Sequence, residues 1–175
     1  RGLRMSVNLS PREFERDDIV DRVTAAIRAH GLPAGTLEVE ITENLLLQDV
    51  ERVIDKVRTL RGRGVRVAID DFGTRYSSLN YLRQFPVSSI KIDQSFIRDL
   101  GSDVGAAAIV SAFIGIAEGF DLQLIAEGVE TDIQVASLRS LGCDTMQGYH
   151  FARPMDAASL HDMLLAYPVT ASQEI

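Results

Sequence analysis

Residues 49–71 read DVERVIDKVRTLRGRGVRVAIDD, and the order of signals in this stretch decides the fold class. Val50, Val53, Ile54, Val57 and Leu60 recur at helical spacing, giving one apolar face to a helix that Asp49 can cap and that Gly62 or Gly64 ends. Val65–Ile69 follows at once, a short apolar and β-branched run of the kind buried on both faces of a parallel sheet. The run stops at two acids, Asp70 and Asp71. Helix, tight turn, strand and acid form one unit, and that unit recurs.

Further strands are expected over Met5–Leu9, Leu37–Ile41, Ser89–Ile92, Leu122–Ala126 and Asp144–Phe151. Helical patterns lie between and after them. Ile19 to His30 stops at Gly31 with Pro33 beyond. Thr131 and Gln134 have capping-box spacing at the start of a helix through Leu141, and Asp156 can cap a last helix from about Ala157 to Tyr167. Six strand–helix repeats joined by right-handed crossovers build either a doubly wound sheet or a barrel. No Gly-rich phosphate loop follows any strand, so the dinucleotide-binding sheet lacks its marker and an α/β, TIM-barrel-like (β/α)8 fold is favoured. A complete barrel takes about 250 residues, or roughly 31 per unit, so this chain is expected to hold about six of the eight units. Residues 1–167 read as the C-terminal portion of one barrel domain and 168–175 as a tail.

The composition, 46% hydrophobic and 25% charged, supports a packed globular core. Eighteen basic against 25 acidic residues leave a net charge of -7. That balance excludes a non-specific binder of nucleic-acid polymers, which needs a basic face, but admits a phosphate-bearing ligand held through cations. Cys143 is the only cysteine, so an intrachain disulfide and a thiolate zinc cluster are both excluded, and a reducing, cytoplasmic setting is expected. The longest apolar stretch, Ala106 to Ala117, is far short of the roughly 20 residues of a membrane span. Residue 1 is Arg, which suggests a chain cut from something longer, tethered or not through an upstream region.

The polar residues at the strand ends are the informative ones. The strands deliver, in order, Asn8; Glu40 and Glu43; Asp70 and Asp71; Lys91 and Asp93; Glu127 and Glu130; and Gln147. In a parallel barrel these ends converge on one rim, where the active sites of this architecture lie. Singly, Glu43 or Asp71 reads equally well as a helix cap, Asn8 as a turn former before Pro11, and Glu130 as a charge at a helix start. Lys91 resists that treatment. It is bracketed by Ile90 and Ile92, and an unpaired buried ammonium is so costly that it must meet carboxylates. Carboxylates plus one amide, with no cysteine and no well-placed histidine among His30, His150 and His161, suit hard cations such as Mg²⁺ or Mn²⁺. Adjacent aspartates can divide between two metals about 3.5–4 Å apart, an arrangement that activates water against a phosphodiester. A lysine among them can orient the water or neutralise developing charge.

Six ordered segments carry a resemblance. Val7-Asn8-Leu9-Ser10-Pro11, Glu40-Ile41-Thr42-Glu43-Asn44, Asp70-Asp71-Phe72-Gly73-Thr74, Lys91-Ile92-Asp93-Gln94-Ser95-Phe96, Ala126-Glu127-Gly128-Val129-Glu130 and Gln147-Gly148-Tyr149 closely resemble the EAL-domain family, from Ser6 to about Pro154. These are bacterial phosphodiesterases that open cyclic di-GMP to linear pGpG with two divalent metals on a modified barrel. The resemblance implies that Asn8, Glu40, Asp70, Asp71 and Glu127 surround the metals. It also implies that Lys91 holds the water nucleophile with Gln147 nearby, that Glu43 anchors the loop after Asp71, and that Asp93 and Glu130 are supporting polar residues.

Two departures stand out. The Glu-Ala-Leu motif that names the family is not matched, since Glu13 and Glu15 are the only glutamates before Glu38 and neither precedes Ala-Leu. Arg75 stands where the family's loop usually has a second glycine. The leading expectation is therefore a cyclic di-GMP phosphodiesterase whose motif lies upstream, this chain being inactive alone. A homodimer and an upstream sensor or GGDEF-type domain are expected partners. The alternative is a catalytically silent cyclic di-GMP receptor; a different metal-dependent barrel, such as a phosphatase or lyase, ranks below both.

Overall fold

In a computed structural model, which describes residues 3–47, 49–74 and 82–166, β1 (Met5–Leu9), β2 (Leu37–Thr42), β3 (Arg66–Phe72), β4 (Ser89–Ile92) and β5 (Gln123–Ala126) form one sheet. Every neighbouring pair is parallel and the spatial order is that of the chain. A doubly wound sheet reverses its order at a switch point, whereas a barrel does not, so the strand order is the barrel's. The crossovers carry α1 (Pro11–Glu15), α2 (Ile19–Ala29), a 3₁₀ turn (Glu43–Leu47), α3 (Val50–Gly62), α4 (Gln94–Ile97) and α5 (Val104–Gly119). After β5 come α6 (Asp132–Leu141) and α7 (Ala157–Ala166). No described helix is long and apolar enough to cross a membrane. Arg75, Tyr167 and the expected tail 168–175 lie outside the described residues.

The alternation of side chains explains why β2, β3 and β4 are buried on both faces yet carry charge, whereas β1, expected to be buried too, is exposed along most of its length. Val39 and Ile41 on β2, Val67 and Ile69 on β3, and Ile90 on β4 pack with Val53, Val57 and Leu60 of α3 in one apolar core. A second core joins Ile92 and Ala126 to Val110 and Ile114 of α5 and Leu138 of α6. The intervening positions, among them Glu38, Glu40, Lys91 and Ser89, are also buried, but on the opposite face. The inside of the sheet is therefore polar.

Three expectations change. The expected sixth strand, Asp144–Phe151, is reduced to a single bridge between Ala126 and Met146. Beyond it Val129 N–H donates to Gln147 O and His150 N–H to Val129 O, and Phe151 N–H turns back to Gly148 O. The segment thus closes into a turn before a ladder can extend. Asp49 does not cap α3: it takes a left-handed φ of 38° instead of the extended cap conformation and makes no side-chain cap bond. β3 runs through Asp70 and Asp71 to Phe72 instead of stopping before them, because the pairing with β4 continues past the acids.

Candidate active site

The β3–β4 pairing places the acids. Ile69 pairs with Ile90 and Phe72 with Ile92, so two residues, Asp70 and Asp71, stand opposite the single Lys91. This is a β-bulge, and Asp71 absorbs it with a φ of 55°. A regular strand would send the two aspartates to opposite faces. The bulge breaks that alternation, and one oxygen from each of Asp70, Asp71 and Glu127 lies within 4.8 Å of the others.

Lys91 sits at the centre. Its Nζ is 2.7 Å from Glu40 Oε2, 2.7 Å from Glu127 Oε1 and 3.4 Å from Asp70 Oδ1. Lys91 and Glu40 are buried. Asn8, with its amide nitrogen turned towards the acids, donates to Asp70 Oδ2 at 3.2 Å and Glu40 Oε2 at 3.3 Å. Burial works against the Lys91 ammonium, but the hydrogen bonds to Glu127 and Glu40 outweigh it and raise its pKa above the ordinary lysine value. Glu127 is pushed up to about 7, chiefly by burial, with the Asp70 charge adding to it and Lys91 opposing it. Asp71 is raised too, by burial first and then by the charges of Asp70 and Asp93. Three carboxylates share one ammonium and Asp71 adds a fourth acid beside them, so the cluster holds surplus negative charge on hard oxygen donors. That donor set fits divalent cations such as Mg²⁺ or Mn²⁺.

The loop after the bulge is tied down. Gly73 N–H donates to Glu43 Oε2 at 3.1 Å. Gly73 has a φ of 89°, and a Cβ there would stand 2.4 Å from Phe113 Cζ. A Gly73→Ala substitution is expected to lower unfolding free energy by about 2 kcal/mol or more, since left-handed backbone alone costs an L-residue about 1–2 kcal/mol. Urea denaturation measures it.

The remaining expected residues line a cleft of about 320 Å³ at the same rim: Asp71, Asp93, Glu127, Glu130 and Gln147, joined by Tyr149. Asp93 also accepts from Ser95 N–H at 2.9 Å and caps α4, so its carboxylate serves the helix while facing the cleft. Gln147 is held by its backbone, whose N–H donates to Ala126 O at 2.8 Å. Gly148 lies so close to Val129 that a Cβ would meet its carbonyl oxygen at 2.1 Å. Of the expected site residues, only Arg75 lies outside the described ones. Tyr149, whose half-exposed ring has the Arg153 guanidinium 4.7 Å from its centroid, gives no signal in the sequence beyond its position after Gln147-Gly148.

Known proteins resemble this chain in sequence and in fold. The family model described as "EAL domain" matches residues 1–154. The cyclic di-GMP phosphodiesterase NbdA of Pseudomonas aeruginosa is 42% identical over 170 residues, 97% of this chain and 22% of that protein. The bifunctional diguanylate cyclase/cyclic di-GMP phosphodiesterase MucR of the same organism is 42% identical over 156 residues, 89% of this chain and 23% of its own length. The chain thus spans less than a quarter of these relatives. Among solved structures, the EAL domain of Mycobacterium smegmatis DcpA superposes with a TM-score of 0.89 at 40% identity, covering 93% of this chain and 73% of that one. The P. aeruginosa MucR phosphodiesterase in complex with c-di-GMP superposes with a TM-score of 0.84 at 41% identity, covering 90% and 64%. Strand order, rim chemistry and these likenesses agree, and the chain belongs to the EAL domain family.

Proposed function

We propose that this chain carries most of the site at which the intact protein hydrolyses cyclic di-GMP to linear pGpG with divalent metal ions. The observation that carries the reading is Lys91 held among Glu40, Asp70 and Glu127, with Asp71 brought to the same rim by the bulge. The names of NbdA and MucR support the substrate. MucR, being bifunctional, also supports a cyclase-type neighbouring domain.

Asn8, Glu40, Asp70, Asp71 and Glu127 would hold two Mg²⁺ or Mn²⁺ ions, which when bound supply Lewis acidity to the phosphodiester and lower the pKa of water. The chain's own part is positional. Lys91, fixed by two 2.7 Å contacts, presents a charged donor where a water nucleophile can be oriented and where negative charge develops on phosphorus-bound oxygens. Glu40 and Glu127 keep that ammonium protonated. Gln147 and Tyr149 border the cleft in which the dinucleotide would lie, and Asp93 and Glu130 offer acceptors for the donor edge of a guanine.

The test uses the intact protein with cyclic di-GMP and Mg²⁺ or Mn²⁺, with products separated chromatographically. Linear pGpG is the expected product, and tight binding without turnover would overturn the reading in favour of a silent receptor. A companion measurement needs no substrate. Mn²⁺ at about 100 times its dissociation constant should stabilise the fold by about 2.7 kcal/mol, and EDTA should remove that gain.

A further inference from the structure

A second polar layer lies on the inner face of the sheet, below the acidic rim. Its hub is Glu38, buried to 1% exposure. Glu38 Oε1 accepts from Ser89 Oγ at 2.6 Å and from Arg66 Nε at 3.3 Å. Arg66 Nη2 also donates to Gln123 Oε1 at 3.2 Å, and Arg4 Nη1 donates to the same oxygen at 2.9 Å. Gln123 Nε2 in turn donates to Thr145 Oγ1 at 3.0 Å.

These bonds do what the backbone ladder cannot. The ladder ties each strand only to its neighbours, whereas Glu38–Ser89 joins β2 to β4, Arg66–Gln123 joins β3 to β5, and Arg4–Gln123 joins the chain just before β1 to β5. The rim cluster poses the same problem one level up. Asp70 lies on β3 and Glu127 just past the end of β5, with β4 between them, yet their oxygens lie within 4.8 Å. Asp70 is four residues after Arg66, and Glu127 is four residues after Gln123. The side-chain tie therefore lies four residues before the carboxylate pair on the same two chain segments, with side chains of the same face.

We propose that Arg66 and Gln123, braced by Glu38, are positioning residues that set the separation of Asp70 and Glu127 and so tune which divalent cation the rim holds. This rests on the metal-site reading above. Partners that orient metal ligands without touching the ion typically change affinity by about 10- to 100-fold. Arg66 is suited to the task because its planar fork reaches Glu38 and Gln123 together.

The test is Mn²⁺ binding to the intact protein without substrate, followed by calorimetry and by electron paramagnetic resonance, with Mg²⁺ and Ca²⁺ as competitors. Gln123→Leu should weaken Mn²⁺ binding by about 10- to 100-fold and favour the larger, geometrically tolerant Ca²⁺ over Mg²⁺. Gln123→Glu keeps an acceptor for both arginines and should restore affinity to within about threefold of wild type. Thr131→Ala removes the capping bond of α6 to Gln134 N–H, touches neither Glu38, Arg66 nor Gln123, and should leave Mn²⁺ affinity unchanged. If Gln123→Leu does not fold, Arg66→Lys takes its place, keeping the charge but losing the fork, with the same weakening expected. Wild-type affinity and selectivity in Gln123→Leu, or in Arg66→Lys where Gln123→Leu does not fold, would overturn the proposal. Failure of the wild-type protein to bind Mn²⁺ at all would instead overturn the metal-site reading on which it rests.

Discussion

Lys91→Met should cost this fold about 3–5 kcal/mol in the absence of metal, and the loss should grow with pH. The substitution keeps an apolar stem of similar length but leaves Glu40, Asp70 and Glu127 facing one another without their shared cation. Removing one partner of a buried ion pair typically costs that much because the remaining charge stays desolvated. The pH dependence follows from Glu127. Its pKa in the fold is about 7, above the ordinary 4.5, so the folded state holds that proton more tightly than the unfolded chain does. Its contribution is full below about 4.5 and is lost as pH rises through about 7. Without Lys91, which pulls the value down, the folded-state pKa rises further and the loss extends to higher pH. Urea midpoints at about pH 5.5 and about pH 8, with EDTA present, should therefore diverge more for the variant than for wild type. Equal stability of the two proteins at about pH 8 would show that Lys91 is not the neutralising charge. Hydrolysis by the intact protein should fall by about 10²- to 10³-fold, the usual cost of removing a donor aimed at developing charge.

Much of this site was legible before the fold was known, and particular residues show why. Lys91 between two isoleucines, and Glu40 between Val39 and Ile41, announce buried charges that must meet. Strand periodicity then assigns them to the inner face. What stayed hidden depends on contacts distant in the chain. The bulge that brings Asp71 to the same rim as Asp70 is a register shift against β4, about 20 residues away, and no local pattern around Asp70-Asp71 encodes it. Glu38 looked like an ordinary strand residue, because its partners Ser89 and Arg66 lie 51 and 28 positions off. The sixth strand failed for a similar reason. Residues 144–151 have strand-like composition, but Gly148 packs against the Val129 backbone and the chain turns there. Helices α1, α4 and α5 are likewise absent from the sequence expectation, although Ser10 with Glu13, Asp93 with Ser95, and Asp103 with Gly105 form side-chain caps that their sequence permits.

The sharpest separation of stability from function should come from Asp71→Asn. Asp71 sits in left-handed backbone at a φ of 55°, a conformation that asparagine tolerates better than most residues. The substitution therefore keeps the bulge and removes only charge. That charge is an unfavourable one in the metal-free protein: burial and the neighbouring Asp70 and Asp93 raise the Asp71 pKa, and Lys91 compensates only in part. Removing it should leave metal-free stability unchanged or raise it slightly, because the raised pKa marks the charge as an unfavourable one. Hydrolysis should move the other way, falling by more than about 10²-fold, because an amide oxygen is a weaker ligand than a carboxylate and even supporting residues around metals cost 10- to 100-fold. Asp71→Ala provides the contrast. It loses the same charge, but alanine pays about 1–2 kcal/mol for left-handed backbone, so its stability should fall below that of Asp71→Asn. Thermal unfolding in EDTA and pGpG formation in Mn²⁺ measure the two axes independently. A site selected for metal binding should show opposite signs on them for Asp71→Asn, whereas an acid retained only for the turn would lose stability in both variants and leave turnover per folded molecule intact.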